Sequence, residues 1–241
     1  MIKTNNLSKR FGGNVAVDDL SVAIPENEIT GLIGPNGAGK STLVDLLTGM
    51  KKIDGGSVVV SDTELESIRP ENARVYGVSR TFQQVRLFLQ MSVLDNILLA
   101  LTERSVFSAL FERHTDYHRN QAKDILETVD LWHKRDSNVE NLSFGQRKLL
   151  EIGRAVAADT ETIFFDEPFA GLFPEIENTV KQAIEDLKHD GKTIVLIEHD
   201  MEIIADLCEH VIVLDAGELL TEGGPKAVLE NEAVKDAYLG T

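Results

Sequence analysis

The sequence predicts an α/β fold, on three observations. Apolar runs of strand length alternate with helix-patterned stretches near both ends of the chain. A glycine-rich loop joins one such run, 29–33, to a helix-patterned segment, 41–49. Between the two alternating regions, residues 88–140 change to helical spacing and read as a mostly helical insert.

Each element follows from its own residues. Residues 15–24 (VAVDDLSVAI) alternate loosely and are rich in β-branched side chains, which favours strand. Ile29 to Ile33 is an apolar run that ends at the glycine-rich loop, and Gly55-Gly56 marks a turn before the strand Val58-Val59-Val60. In the insert, Leu94, Ile97, Leu98 and Leu101 fall on one helix face, and Ile125, Leu126 and Val129 on another. Beyond Ser143 the alternation returns, with strands expected at 162–166, 193–197 and 211–215 and helices at 145–158, 175–189 and 200–207. No repeat, low-complexity tract or long linker interrupts the chain. It reads as a single domain over 1–241, with 1–87 and 141–241 as core and 88–140 as insert.

The 241 residues are enough to bury a core without staples. Lys plus Arg number 24 against 40 Asp plus Glu, a net charge of −16. That sign is the opposite of a nucleic-acid binder's footprint, and it gives little direct attraction to anionic lipid. The one cysteine, Cys208, has no partner for an intrachain disulfide or a C-x-x-C site, so a core thiol in a reducing cytoplasm is expected. Met1 to Phe11 has no apolar signal-peptide run. The longest apolar stretch, Val93 to Leu101, is interrupted by Asp95 and Asn96 and is too short to span a bilayer. Any membrane role must therefore run through a partner.

Two motifs carry chemistry on their own. Gly34-Pro35-Asn36-Gly37-Ala38-Gly39-Lys40-Ser41-Thr42 matches G-x4-G-K-[ST]. Such glycines let the backbone wrap phosphates, the following helix start points N–H groups at the anion, Lys40 reaches the β- and γ-phosphates, and the Ser41 hydroxyl ligates Mg²⁺. Thr162-Ile163-Phe164-Phe165-Asp166-Glu167 is an apolar strand ending in two acids. Downstream of such a loop, Asp166 is expected to hold Mg²⁺ and Glu167 to polarise the attacking water.

Leu142-Ser143-Phe144-Gly145-Gln146, ahead of a helix, resembles the LSGGQ signature of the ABC ATPases. Thr81-Phe82-Gln83 resembles that family's Q-loop, and Ile197-Glu198-His199-Asp200 its switch-histidine segment. With the two motifs above, five stand in the family's order, and the resemblance covers essentially the whole chain. It implies a P-loop NTPase of ABC type: a RecA-like core, an antiparallel β subdomain and a helical subdomain. It also implies ATP and Mg²⁺ as cofactors. Gln83 is then a metal-site and catalytic residue, and His199 a γ-phosphate contact. Ser143, Gly145 and Gln146 close over the nucleotide of a second copy or a paralogue, and Phe11 stacks on adenine. Ser143 also reads as a helix N-cap.

Two positions depart from the family pattern. Phe144 replaces the first of the signature's two glycines, directly before the retained Gly145, and Phe173 stands where Asp or Asn is usual. The first resembles the ATPases of branched-chain amino acid importers, as do TFQQVRLF (81–88), the Gly171-Leu172 turn and the ending AYLG (237–240). That branch implies transmembrane permease subunits docking beside Gln83 to Phe88, with Arg86, Leu87 and Phe88 as contacts. It also implies a solute-binding protein reached indirectly and a peripheral position on the cytoplasmic face of the membrane. Two alternatives stand beside it: the ATPase of lipopolysaccharide export, expected to keep both signature glycines, and a soluble ABC ATPase of the iron–sulfur assembly type. His114 and His118 are four apart with no third ligand, so no metal site is expected there.

Overall fold

The computed structural model describes residues 1–81, 87–102 and 116–239. Its first elements are β1 (Ile2–Phe11), β2 (Asn14–Leu20), β3 (Ala23–Ile24), β4 (Ile29–Ile33), α1 (Lys40–Leu47), β5 (Gly55–Val60), β6 (Thr63–Leu65), α2 (Pro70–Ala73) and β7 (Val78–Arg80). Three helices follow, α3 (Val93–Thr102), α4 (Asp116–Thr128) and α5 (Phe144–Ala157). The chain continues through β8 (Thr162–Asp166), α6 (Pro174–His189), β9 (Thr193–Ile197), α7 (Met201–Leu207), β10 (His210–Asp215), β11 (Glu218–Gly223), α8 (Pro225–Leu229) and α9 (Glu232–Leu239).

One compact unit comprises Met1–Arg80, Glu161–Glu167 and Lys188–Thr241. It holds two sheets. The antiparallel one runs β2-β1-β5-β6, with β3 on β1. The other has the order β11-β10-β4-β9-β8-β7, parallel from β10 to β7, with β11 antiparallel at its edge. Every residue of β4, β8 and β9 is buried. Strands covered on both faces read as unbroken apolar runs, and these three have the bounds the sequence predicts. One cluster joins Leu7, Val17 and Leu20 of the antiparallel sheet, Leu43, Val44, Leu46 and Leu47 of α1, and Phe164, Val195 and Leu214 of the parallel sheet.

Ile197 pairs with Leu32 on one side and with Asp166 on the other. The carboxyl ends of β4, β9 and β8 are therefore level and adjacent. That edge is where parallel sheets carry their ligand sites.

The other unit comprises Thr81–Thr160 and Pro168–Leu187. It contains all of the expected insert and adds α5 and most of α6. Gly153 of α5 lets three helices approach: a Cβ there would lie 3.2 Å from Ile97 Cδ1 of α3 and 3.4 Å from Ile125 Cγ2 of α4. Ile97, Leu98, Leu126 and Val129 are buried, with Leu94 and Leu101 half-buried at the margin. Asn96, which breaks the apolar pattern of its helix, is fully buried. Its side chain accepts from Phe88 N–H (3.0 Å) and donates to Phe88 O (3.1 Å) and Ser92 O (2.9 Å). Among the described residues no helix is long and apolar enough to cross a membrane.

Asn96→Ala leaves both backbone groups of Phe88 without these partners. It should destabilise the protein by on the order of 2 kcal/mol or more, read as a lower unfolding midpoint in urea. An unchanged midpoint would mean that these bonds contribute nothing net.

Candidate functional site

The loop from Gly34 to Gly39 leaves the carboxyl end of β4 and enters α1. Its backbone runs so close to its neighbours that side chains are excluded. A Cβ on Gly34 (φ +146°) would lie 2.1 Å from Leu214 O of β10, and one on Gly39 (φ +99°) 2.5 Å from Ala16 O of β2. Gly217 N–H donates to Ala38 O at 3.1 Å. Gly34 N–H donates to the Tyr238 hydroxyl of α9 at 2.6 Å. Burial raises the pKa of that phenol, against the opposing pull of the bond from Gly34. The start of α1 has no side-chain cap, so the N–H groups of Lys40, Ser41 and Thr42 are free of intrahelical acceptors and suited to an anion. Asn36 and Gly37 are exposed on the outer turn of the loop.

Lys40 is buried, and its ammonium donates to Gly34 O (2.5 Å) and Pro35 O (3.0 Å) of the same loop. Burial lowers its pKa, while the carboxylates of Glu167 and Asp166 act in the other direction. The cation is thus held where two acids at the sheet edge feel it.

Asp166 ends β8, buried, with Oδ2 accepting from Arg80 Nη2 at 2.6 Å. Arg80 Nη1 bonds Asp45 Oδ1 of α1, and Asp45 Oδ2 lies 3.3 Å from Lys51 Nζ. Glu167 follows in the left-handed region (φ 49°), and its N–H donates to Ile197 O at 2.9 Å. This backbone costs a non-glycine residue about 1–3 kcal/mol and is typical of functional positions. The turn brings Glu167 Oε1 to 2.8 Å from Nε2 of His199. His199 is fixed from both sides: its N–H donates to Glu198 Oε2, and the next residue, Asp200, caps α7 by accepting from Glu202 N–H and Ile203 N–H.

Phe11, at the end of β1, is exposed, with the ammonium groups of Lys9 and Lys51 at 5.4 and 5.5 Å from its ring centre. It presents a π face at the surface, as a stacking platform needs. For a metal, the donor set is oxygen only: the Ser41 hydroxyl and the Asp166 carboxylate. Among the described residues no three His, Cys, Asp or Glu side chains form a metal cage. Mg²⁺ needs none, since it is held by one or two protein oxygens together with substrate phosphates and water. The residues fit that ion.

Ser143, Gly145 and Gln146 lie in the other unit, at the start of α5. Ser143 caps that helix in a capping box: its hydroxyl accepts from Gln146 N–H (3.3 Å), and the Gln146 side chain accepts from Ser143 N–H (3.1 Å). A hydroxyl accepting in this way keeps its own O–H to donate. A Cβ on Gly145 would lie 3.2 Å from Ile176 Cγ2. Phe144 and Phe173 are both exposed, and the Phe144 ring borders Gly171. Both departures from the family pattern are thus surface aromatics of this unit. Gln83, Arg86 and His114 lie outside the described residues. Phe88 is exposed, with the Arg154 guanidinium 5.2 Å from its ring centre.

The structure therefore gathers the loop, Lys40, Asp166, Glu167 and His199 at one sheet edge. The sequence reading missed Arg80, Asp45 and the role of Tyr238. An arginine ending a strand directly before Thr81-Phe82-Gln83 was the available signal for the first.

A family model described as "ABC transporter" matches residues 17–170. The high-affinity branched-chain amino acid transport ATP-binding protein LivG of Salmonella typhimurium is 36% identical, over 100% of this chain and 98% of its own length. The lipopolysaccharide export system ATP-binding protein LptB of Escherichia coli K12 is 34% identical, over 99% and 97%. Among solved structures, the ADP conformation of MJ1267, an ATP-binding cassette of an ABC transporter, matches with a TM-score of 0.88 at 33% identity, over 100% of this chain and 99% of that one. A dimeric post-hydrolysis state of the cassette MJ0796, bound to ADP and Pi, matches with a TM-score of 0.81 at 25% identity, over 93% and 99%.

Two outcomes are expected. Lys40→Ala should sharply weaken ATP binding or abolish hydrolysis with the fold intact; unchanged affinity and turnover in a folded variant would remove Lys40 from the site. Cys208 is buried, and burial, with Glu209 and Glu198 adding to it, pushes its thiol up to about 12. It should react with a thiol reagent at pH 8 only after unfolding, which absorbance on titration with and without denaturant would report.

Proposed function

The chain belongs to the ABC transporter family and is one of its ATPases, and from that membership we propose that it drives import of branched-chain or related amino acids. In this reading two ATPase subunits, identical or paralogous, sit on transmembrane permease subunits at the cytoplasmic face of the membrane. A solute-binding protein delivers the cargo.

The observation that carries the import reading is the end-to-end similarity to LivG. LptB is nearly as similar, which makes lipopolysaccharide export the second reading. Phe144 favours import, because the export ATPases are expected to keep glycine there.

The geometry supports a division of labour. Lys40 and the amides from Gly37 to Thr42 take the phosphates of ATP, and Phe11 takes the adenine face. Ser41 and Asp166, joined by Gln83, would hold Mg²⁺, which supplies neutralisation of phosphate charge when bound. Glu167 accepts a proton from water as the water oxygen bonds the γ-phosphorus and the bond to the β,γ-bridging oxygen breaks, giving ADP and phosphate. His199, on Glu167 Oε1, keeps that carboxylate aimed and faces the γ-phosphate. Positioning and electrostatics supply most of the acceleration. Ser143 O–H and Gly145 N–H of the second copy, beside Gln146, complete the γ-phosphate site. Loss of that phosphate releases the pair.

Glu167→Gln keeps shape and removes the base. Turnover should fall by about 10²-fold or more while Mg·ATP still binds and the dimer accumulates with ATP on size exclusion. Near-normal hydrolysis would assign the water to another group. For the cargo, cells carrying the cognate permeases should lose uptake of labelled leucine when either Lys40→Ala or Glu167→Gln replaces the parent. Intact leucine uptake with loss of surface lipopolysaccharide would favour export instead, and recovery with soluble scaffold proteins alone would favour the assembly class.

A further inference from the structure

Four charged side chains stand in line in the first unit: Lys51, Asp45, Arg80 and Asp166. Lys51 Nζ is 3.3 Å from Asp45 Oδ2, Asp45 Oδ1 bonds Arg80 Nη1, and Arg80 Nη2 is 2.6 Å from Asp166 Oδ2. The Arg80 and Asp166 side chains are only 10% and 8% exposed, so this is not a solvated surface pair. A guanidinium suits such a bridge. It is always charged, planar, and able to bond two carboxylates from one fork, which an ammonium point charge does poorly.

The two acids belong to elements that each carry a metal-ligand candidate. Asp166 is one itself. Asp45 lies four residues after Ser41 in α1, on the same helix face. Arg80 thus ties the Ser41 face of α1 to the end of β8. Its bond to Oδ2 also holds the Asp166 carboxylate at that strand end.

We propose that Arg80 is a positioning residue that sets the separation and orientation of Ser41 and Asp166 for the divalent cation that accompanies ATP. The inference rests on reading those two residues as metal ligands. It adds a role for the last residue of β7, after which the chain leaves this unit at Thr81. A residue that only tethers an edge strand would affect stability alone. A residue that orients a ligand affects the metal specifically, by about 10- to 100-fold in affinity when removed.

The test uses the full chain and a fluorescent ATP analogue, titrated first in EDTA and then with increasing Mg²⁺. In EDTA, Arg80→Gln should bind the analogue within about twofold of the parent, because the loop and Lys40 are untouched. The Mg²⁺ concentration for half-maximal enhancement of binding should rise by about tenfold or more. Asp166→Asn should show the same kind of rise, and the double variant should add little, since both changes act on one ligand. Arg80→Lys, which keeps the charge but bridges poorly, should fall between parent and Arg80→Gln, and it carries the test if Arg80→Gln does not fold. Equal weakening with and without Mg²⁺, full additivity in the double variant, or a parental Mg²⁺ curve in Arg80→Lys would overturn the proposal. If Asp166→Asn itself leaves the Mg²⁺ curve unchanged, the metal-ligand reading fails instead.

Discussion

The carbonyl oxygen of Leu214 lies where a side chain on Gly34 would have to be. That contact fixes the height of the phosphate loop above β10, and Ala16 and Tyr238 fix it from two further directions. The remaining groups take their positions from the same frame. Lys40 is folded onto the carbonyls of the loop itself. Asp166 and His199 extend from strands whose register with β4 is set by buried parallel pairing. A packed sheet deforms little, so the site inherits its precision from the buried pairing of β4, β9 and β8.

Much of this frame was legible in the chain. β4, β8 and β9 are buried on both faces, so their sequences are continuous apolar runs with sharp ends, and the acids and glycines after them mark the edge. The antiparallel sheet was harder. β1 (IKTNNLSKRF) buries little beyond Ile2, Thr4 and Leu7, exposes its other face and shifts register against β2 and β5, so no clean alternation survives. The 15–24 segment, whose composition favours strand, divides into β2 and β3, which pair with different parts of β1. Asn96 interrupts an apolar run in the sequence, yet its side chain makes three hydrogen bonds to backbone groups. Sequence patterns record burial, whereas Asn96 records which backbone groups lacked partners. For the same reason Arg80 was not foreseeable as a bridge: its partners are 35 and 86 residues away, and only the fold brings them together.

Charge is the second organising constraint. The chain has an excess of 16 negative charges and ATP adds more, yet Asp166 and Glu167 stand side by side at the sheet edge next to the phosphate loop. Each acid has a local hydrogen-bond partner. Arg80 bonds Asp166, His199 bonds Glu167, and the buried ammonium of Lys40 is felt by both. The signature segment solves a different problem in its own unit. There the Ser143 hydroxyl caps the helix end by accepting from Gln146 N–H, which leaves its own O–H able to donate.

The left-handed backbone at Glu167 has an evolutionary corollary. Glycine relieves that conformation outright and asparagine tolerates it better than glutamate does. A library of this chain selected for heat resistance alone would drift toward glycine or asparagine at 167, and, with Glu167 as the proposed base, one selected for ATP turnover would hold glutamate against that drift. Under that proposal the position is one where durability and work pull the sequence apart.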